Sequence, residues 1–345
     1  MHTMSLPMMN RKRYLSTLGW FGLFFLVTLI ASPLIGFTHI DLGKALSREI
    51  EFSENVDAMI LFLARLPRVL LAAITGASLA VAGAVFQAIL RNDLAAPITL
   101  GVSSGAAFGA VLAISMGLSF TVFGFSSIPV AAFLGALGAI TLVFSLVRTR
   151  QGELPTSMVL LAGVTVNFFF AAMVMFIHYL SDVTQSFRIV RWLMGGLDIT
   201  DYQTVFSICP PVAVGMSILI YIARDLNLIS TGSQSAMSRG VDVPRIQKLG
   251  LVSASLITGA VVALCGPIGF VGLMVPHMVR LLIGPDQRLL IPASMLFGAS
   301  FLIICDTVAR TVIAPTEIPV GVITALIGGP FFVWLLKKQH WMSGK

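Results

Sequence analysis

Apolar runs of about 20 residues recur along the whole chain, separated only by short polar or Gly/Pro-rich joints, and that length is what a helix needs to cross the hydrocarbon core of a bilayer. Inside lipid each backbone N–H and C=O has to be satisfied within the protein, which restricts such runs to helices. The composition agrees, with 57% of the 345 residues hydrophobic, 11% charged and a mean hydropathy of +0.95, well outside the balance of a soluble domain. The reading is an all-α, polytopic membrane protein made of a single transmembrane domain, residues 1–345. No segment is long or polar enough to form a soluble domain of its own.

Ten spans are expected, at 14–36, 60–90, 96–116, 127–147, 155–180, 202–223, 249–268, 271–283, 289–313 and 319–337. The eighth is short because Gly266-Pro267-Ile268-Gly269 breaks the run before it and Gly284-Pro285 ends it. An even number puts both termini on one side. The first run follows Arg11, Lys12 and Arg13, is longer than a signal-peptide core and lacks a small-x-small cleavage site, so it reads as an uncleaved span with its basic end inside.

With that start, 15 of the 22 basic residues fall on the cytoplasmic side and ten of the 15 acids fall outside, the direction the positive-inside rule requires. The net charge of +7 is therefore assigned to loop bias and not to nucleic-acid binding. Arg65 and Arg68, in Leu63-Ala64-Arg65-Leu66-Pro67-Arg68-Val69-Leu70, run against the trend, since they lie on the acidic outer side. The 26 residues from Arg65 to Arg91 make ~39 Å of helix, enough to place a charge at each membrane surface. Two arginines at i,i+3 share a helix face, Pro67 is tolerated in a first turn, and interfacial snorkelling is the alternative role for both.

Several chemistries are excluded. No Gly-x-x-x-x-Gly-Lys-Ser/Thr loop exists, since Gly43-Lys44 is followed by Ala45 and Gly344-Lys345 ends the chain, and there is no metalloprotease His pair or nucleophile elbow. The chain is not expected to be an enzyme or to hold a cofactor or metal; Cys209, Cys265 and Cys305 sit inside apolar runs and read as packing thiols. His277 reads as a hydrogen-bonded structural histidine, Arg280 as a snorkelling residue, and Asp306 with Arg310 as a local i,i+4 pair. A secondary, ion-coupled carrier would instead use Asp306, His277 or Glu317 as titrating groups.

The segment of about 225–248 is the largest cytoplasmic connection, and its small residues and glycine breaks suit one or two short helices lying on the membrane surface against a partner. An echo between 76–85 and 253–262 falls five spans apart, the offset of an inverted repeat.

Taken in order, several stretches together resemble the FecCD family of permease subunits of type II ABC importers. They are Arg65-Leu66-Pro67-Arg68, residues 76–87, Leu100-Gly101-Val102-Ser103-Ser104-Gly105-Ala106, Leu160-Leu161-Ala162-Gly163 and Trp192-Leu193-Met194-Gly195-Gly196. Residues 266–273 with Pro276-His277, and Ile318-Pro319-Val320-Gly321-Val322-Ile323-Thr324, complete the set. The resemblance implies ATP-driven import of an iron-siderophore, haem or cobalamin across a bacterial inner membrane, with both termini cytoplasmic. It also implies a second permease subunit forming a homodimer, cytoplasmic ATP-binding subunits, a periplasmic binding protein, and surrounding membrane lipid.

By the same resemblance Ser230, Thr231, Gly232, Ser233, Gln234, Ser235, Ala236 and Gly240 belong to the helices that couple to the ATPase, and Thr156 and Ser157 to a cytoplasmic gate. Arg65, Arg68 and Arg310 correspond to the arginines that receive the binding protein. An N-cap is the alternative for Thr156 or Ser157. The chain departs from the family pattern at Ser233 and Gln234, where acids are common, and in the turn 91–97, where Asp93 replaces a proline and Ala96 an acid; no specific contact is assigned to that turn.

Overall fold

A computed structural model describes residues 11–47, 51–122, 125–147, 154–198 and 201–343. The chain enters through α1 (Arg11–Ala31), makes a 3-10 turn at Ser32–Leu34, and passes a short α2 (Leu42–Ala45). Next, α3 (Val56–Met59) runs through one π-helical segment, Ile60–Arg65, into α4 (Leu66–Leu90), giving one continuous helix from Val56 to Leu90. A 3-10 turn at Pro97–Leu100 leads to α5 (Val102–Ser115), and a two-residue antiparallel pair, β1 (Thr121–Val122) with β2 (Phe125–Ser126), leads to α6 (Ser127–Leu146). After α7 (Thr156–Leu180) and α8 (Val183–Leu193), α9 (Tyr202–Ser207) and α10 (Cys209–Tyr221) together make one span. The surface helices α11 (Ala223–Ser230) and α12 (Ser233–Met237) then precede α13 (Val243–Cys265), α14 (Val271–Ile283), α15 (Gln287–Thr311) and α16 (Val320–Ser343).

Among the described residues, 8 helices are long and apolar enough to cross a membrane, and the shorter apolar helices α5 and α14 occupy the third and eighth expected spans. All ten expected spans are therefore helical. The end of the bundle carrying α11 and α12 is the one that charge counting expects to face the cytoplasm; it is termed the basic face and the opposite end the acidic face.

Two features depart from expectation. Pro67 lies in the first turn of α4, but that turn is not a free helix start, because the chain is already helical from Val56; the π-helical segment just before it takes up the geometry that a proline inside a continuous helix disturbs. Helix α8 lies in what reads as an outer connection between spans five and six. Its signal is nonetheless present, since Asp182 accepts from the Gln185 amide at 2.8 Å and the Gln185 side chain reaches back, a capping box followed by a strongly amphipathic turn pattern.

Helix α4 runs through the centre, buried over nearly its whole length against α13, α14 and α15. Close approach there depends on small residues, since lipid supplies no hydrophobic force to press helices together. A Cβ on Gly83 would overlap the Gly272 carbonyl of α14, and one on Gly76 would overlap the Gly298 carbonyl of α15. The sequence echo falls on α4 and α13, which pack together and run in opposite directions, as an inverted arrangement requires.

Gly83→Ala is expected to lower stability by about 1–3 kcal/mol through overpacking, read as earlier thermal unfolding in detergent. Gly138→Ala, with nothing within 4 Å of the added carbon, should unfold like the parent.

Candidate functional site

At the acidic-face ends of α4 and α15 two arginines share one carboxylate, with a third arginine beside them. Asp306 is 0% exposed and sits between two guanidiniums: Arg68 Nε donates to both of its oxygens at 3.0 and 3.2 Å, and Arg310 Nε donates to Oδ2 at 3.0 Å. The expected i,i+4 pair is present, but it is half of a larger group that also ties α15 to α4. Arg68 further bonds the half-exposed Glu317 at 2.5 Å. No hydrogen bond of Arg68 NH2 is present among the described residues.

Arg65 takes a different set of partners. Its guanidinium donates to the Pro33 and Thr38 carbonyls at 2.8 and 2.5 Å, lodged where Gly36 leaves room that a side chain would fill. Arg310 also reaches Ser32 Oγ at 3.4 Å, and Ser32 bonds Thr307 at 2.6 Å, so the turn after α1 closes over both arginines. The three arginines of the sequence reading are thus brought to one place. Arg65 and Arg310 are buried with their bonds directed inward, while Arg68 alone has a partner in solvent.

Beside this cluster a cavity of about 770 Å³ opens, walled by α8, the end of α13 and the start of α16. Arg68, Arg188, Arg191 and Glu317 give it charged walls, and Trp192 and Pro319 apolar ones. Its depth comes from three chain breaks that meet: Gly196 N donates to Cys265 O at 2.8 Å, and Gly321 N to Gly195 O at 3.3 Å. Gly195 and Gly266 adopt φ of +69° and +68°, and a side chain on either would strike the other's segment. Arg191 pairs with Asp198 at 3.1 Å, both exposed, whereas Arg188 has no carboxylate partner among the described residues. Cys265 and Cys305 are buried free thiols, and Cys209 is half-buried.

On the basic face α11 and α12 form two short helices, as the sequence implies. They are not a loose loop: Ile229, Ala236 and Val243 make a small buried cluster that fastens both to the start of α13. Ser230 ends α11, Thr231 and Gly232 form the turn at φ +133°, and Ser233, Gln234 and Ser235 carry α12. Ser230, Thr231, Gln234 and Gly240 are exposed, whereas Ala236 is buried and serves as the anchor of α12. Asn227 of α11 joins this platform to α15: its Nδ2 donates to Asp286 Oδ1 at 2.7 Å and its Oδ1 accepts from the Gln287 amide at 2.7 Å. Burial works to raise the Asp286 pKa, but hydrogen bonds from Arg288 and Asn227 outweigh it and hold the carboxyl below its ordinary value.

Thr156 and Ser157 begin α7 on the same face, half-buried and exposed respectively. The N-cap position belongs to Pro155 and has no side-chain cap bond, so capping does not account for either hydroxyl. His277 corrects the expectation of a hydrogen-bonded histidine: it is buried with neither ring nitrogen bonded among the described residues, against the edges of Phe331 and Phe332. Arg280 reaches toward the basic face with defined partners. It bonds Gln87 Oε1 at 2.9 Å and pairs with Asp93, which gives the 91–97 turn a defined contact where none was expected.

Among the described residues, eight helices long and apolar enough to cross a membrane and two shorter apolar ones, with a walled cavity at one end and a built surface platform at the other, define a multi-pass membrane protein, and its relatives are permease subunits of importers, transport components rather than enzymes. The profile of the FecCD transport family matches residues 24–338, and the chain belongs to that family. The cobalamin import system permease protein BtuC of Halobacterium salinarum is 46% identical over 280 residues, covering 80% of this chain and 73% of that one. The hemin transport system permease protein HmuU of Yersinia pestis is 38% identical over 319 residues, covering 92% and 95%. A solved structure described as an inward-facing metal-chelate type ABC transporter superposes with a TM-score of 0.80 at 34% identity, covering 94% and 99%. The ion-coupled alternative is not favoured: the relatives are ABC permeases, and Asp306 is locked between two guanidiniums.

Asp306→Ala should be far more damaging than Glu317→Gln. The first leaves two buried guanidiniums without their shared carboxylate, a loss of about 3–5 kcal/mol. The second removes a half-exposed pair worth about 0–1 kcal/mol. Thermal unfolding of both variants in detergent measures the difference.

Proposed function

We propose that this chain is the membrane-spanning subunit of an ATP-driven importer that moves an iron chelate, a haem or a cobalamin from an extracytoplasmic binding protein into the cytoplasm. The observation that carries the reading is the α11–α12 platform, a pair of short helices with exposed polar tips fixed on their own small core, in a chain that has no phosphate-binding loop. A rigid platform of this kind suits a partner that supplies the ATP chemistry. Energy has to enter there, because alternating access requires a state-dependent difference in free energy that the cargo alone does not provide.

The cargo class rests on the relatives, whose named cargoes include cobalamin, hemin and iron(3+)-hydroxamate, and on the size of the cavity between α8 and α16. Such bulky solutes are served by a wide, mostly apolar passage that holds them weakly and lets them leave. Helix α7 supports a pathway or a second subunit along its outer face: Asn167 lies 11 residues into the helix with no side-chain hydrogen bond among the described residues, which lipid would tolerate poorly. In this reading α7 and α16 meet a second copy of the chain around the path, Thr156 and Ser157 stand at its cytoplasmic end, and both termini are cytoplasmic. Small hydroxyl side chains close such a gate without leaving a fixed charge to trap the solute.

The arginine cluster becomes the docking site for an acidic binding protein, with Arg68 as the contact. Its free NH2 edge can receive an incoming carboxylate, and Glu317, being half-exposed, can give way to one. Arg65 and Arg310 then act from below, holding Asp306 and the α1 turn in place. Such charges govern encounter and register more than raw affinity.

Reconstituting the chain in vesicles with and without its ATP-binding subunit tests the reading, using cyanocobalamin, haemin and a ferric hydroxamate as cargo. Uptake should require the ATP-binding subunit and hydrolysable ATP; uptake driven by a proton gradient without it would overturn the proposal. Arg68→Glu should weaken association with the binding protein, and the loss should shrink as ionic strength rises from about 0.01 to 0.15 M. Association unchanged at low salt would return Arg68 to an anchoring role.

A further inference from the structure

Helix α15 spans the distance between the two candidate sites. Its 25 residues make ~37 Å of helix, with Asp306 and Arg310 at the acidic-face end and Gln287 at the basic-face end. Along its length it packs closely on α4, with Gly298 against Gly76 and Ala80. Both ends of α15 are therefore connected to side chains that also belong to other elements. The outer end holds Arg68 of α4, and the inner end is held by Asn227 of α11.

The inner tie is unusually complete for a single side chain. Asn227 uses its amide nitrogen on Asp286 and its amide oxygen on the Gln287 backbone, and so occupies both the cap of α15 and its first free N–H. Asp286 is in turn bonded by the Arg288 backbone amide at 3.0 Å and by the Arg288 guanidinium at 3.0 and 2.7 Å, which holds its carboxylate in one orientation. Pro292 removes one backbone bond from the start of α15, so the position of the first turn relies more heavily on these side-chain bonds. Beyond Pro292 the glycine contacts with α4 keep the helix fixed.

We propose that Asn227 is a positioning residue for coupling: it transmits displacement of the α11–α12 platform to α15, and α15 carries it to the arginine cluster. Rocking of the platform by an ATP-binding partner is thereby felt where the binding protein docks, and docking is felt at the ATPase. Linkage makes this reciprocal, since two ligands that bias one element must each alter the other's affinity by the same factor. The inference rests on the importer reading. It adds a residue that touches neither partner in that reading, because both polar groups of Asn227 are spent on α15.

The test uses the permease in nanodiscs, assembled with its ATP-binding and binding-protein partners, and reads the stimulation of ATP hydrolysis when the binding protein is added. Asn227→Ala removes both bonds. Asn227→Asp keeps the side-chain shape and the acceptor for the Gln287 amide but turns the donated bond into a like-charge contact with the Asp286 carboxylate, so it loosens this tie and remains informative if the alanine variant fails to fold. Each variant should lose stimulation by about fivefold or more while still copurifying with the ATP-binding subunit. In the cycle with Asp286→Ala, the losses should be less than additive, because the two residues share the Asn227–Asp286 bond. Stimulation at the parent level in Asn227→Asp, or additive losses in the cycle, would overturn the inference alone. A parent complex that hydrolyses no ATP would overturn the importer reading and this inference with it.

Discussion

Much of the architecture depends on how closely α4 can approach its neighbours. In a bilayer the tails are as apolar as the helices, so association rests on van der Waals contact and a few polar bonds. Gly76 and Gly83 let α15 and α14 press their backbones against α4, and Gly105, Gly109 and Gly135 do the same between α5 and α6. These contacts allow the short spans to be held in place. Helix α14 has only 13 residues and its N-terminus lies deep in the protein, which is tolerable because the loop before it is enclosed by α4, α8 and α16 and not by lipid.

The charged groups follow from that packing. Asp306 sits where α15 and α4 are forced together, and a lone carboxylate there would be very unfavourable. Arg68 and Arg310 make it tolerable, and the turn after α1 supplies carbonyls and a hydroxyl for what the arginines have left over. Buried ion groups of this kind add little net stability compared with an apolar core, yet they define one arrangement sharply. On the basic face the same logic operates on a smaller scale at Arg280, which answers Gln87 and Asp93.

Much of this was legible in the residues. Ten apolar runs with their charge bias gave ten helices in the expected order, because a span has to satisfy its own backbone and thus advertises itself in composition. Short surface helices at 223–237 were legible from glycine breaks and small polar residues, and the convergence of Arg65, Arg68 and Arg310 from the family resemblance. Helix α8 is less legible although Asp182 and Gln185 mark its start, since an amphipathic helix of 11 residues does not stand out beside runs of 20. The surroundings of His277 are not legible in its own segment, because the bonds a buried ring makes depend on neighbours 54 and 55 residues away, Phe331 and Phe332.

By itself the sequence determined that this protein crosses a membrane many times, how its basic and acidic residues divide among the loops, and which motifs it shares with its family. These properties are local, set by the transfer of each segment into lipid and by the flanking charges. Only the tertiary structure decided that Asp306 is shared by Arg68 and Arg310, that Arg65 turns to the α1 carbonyls, that Asn227 caps a helix 60 residues further on, and that three chain breaks meet to floor a cavity. Each of these joins residues far apart in the chain, and their choice of partner was settled by which backbones could come close enough, a property of packing that no single segment carries.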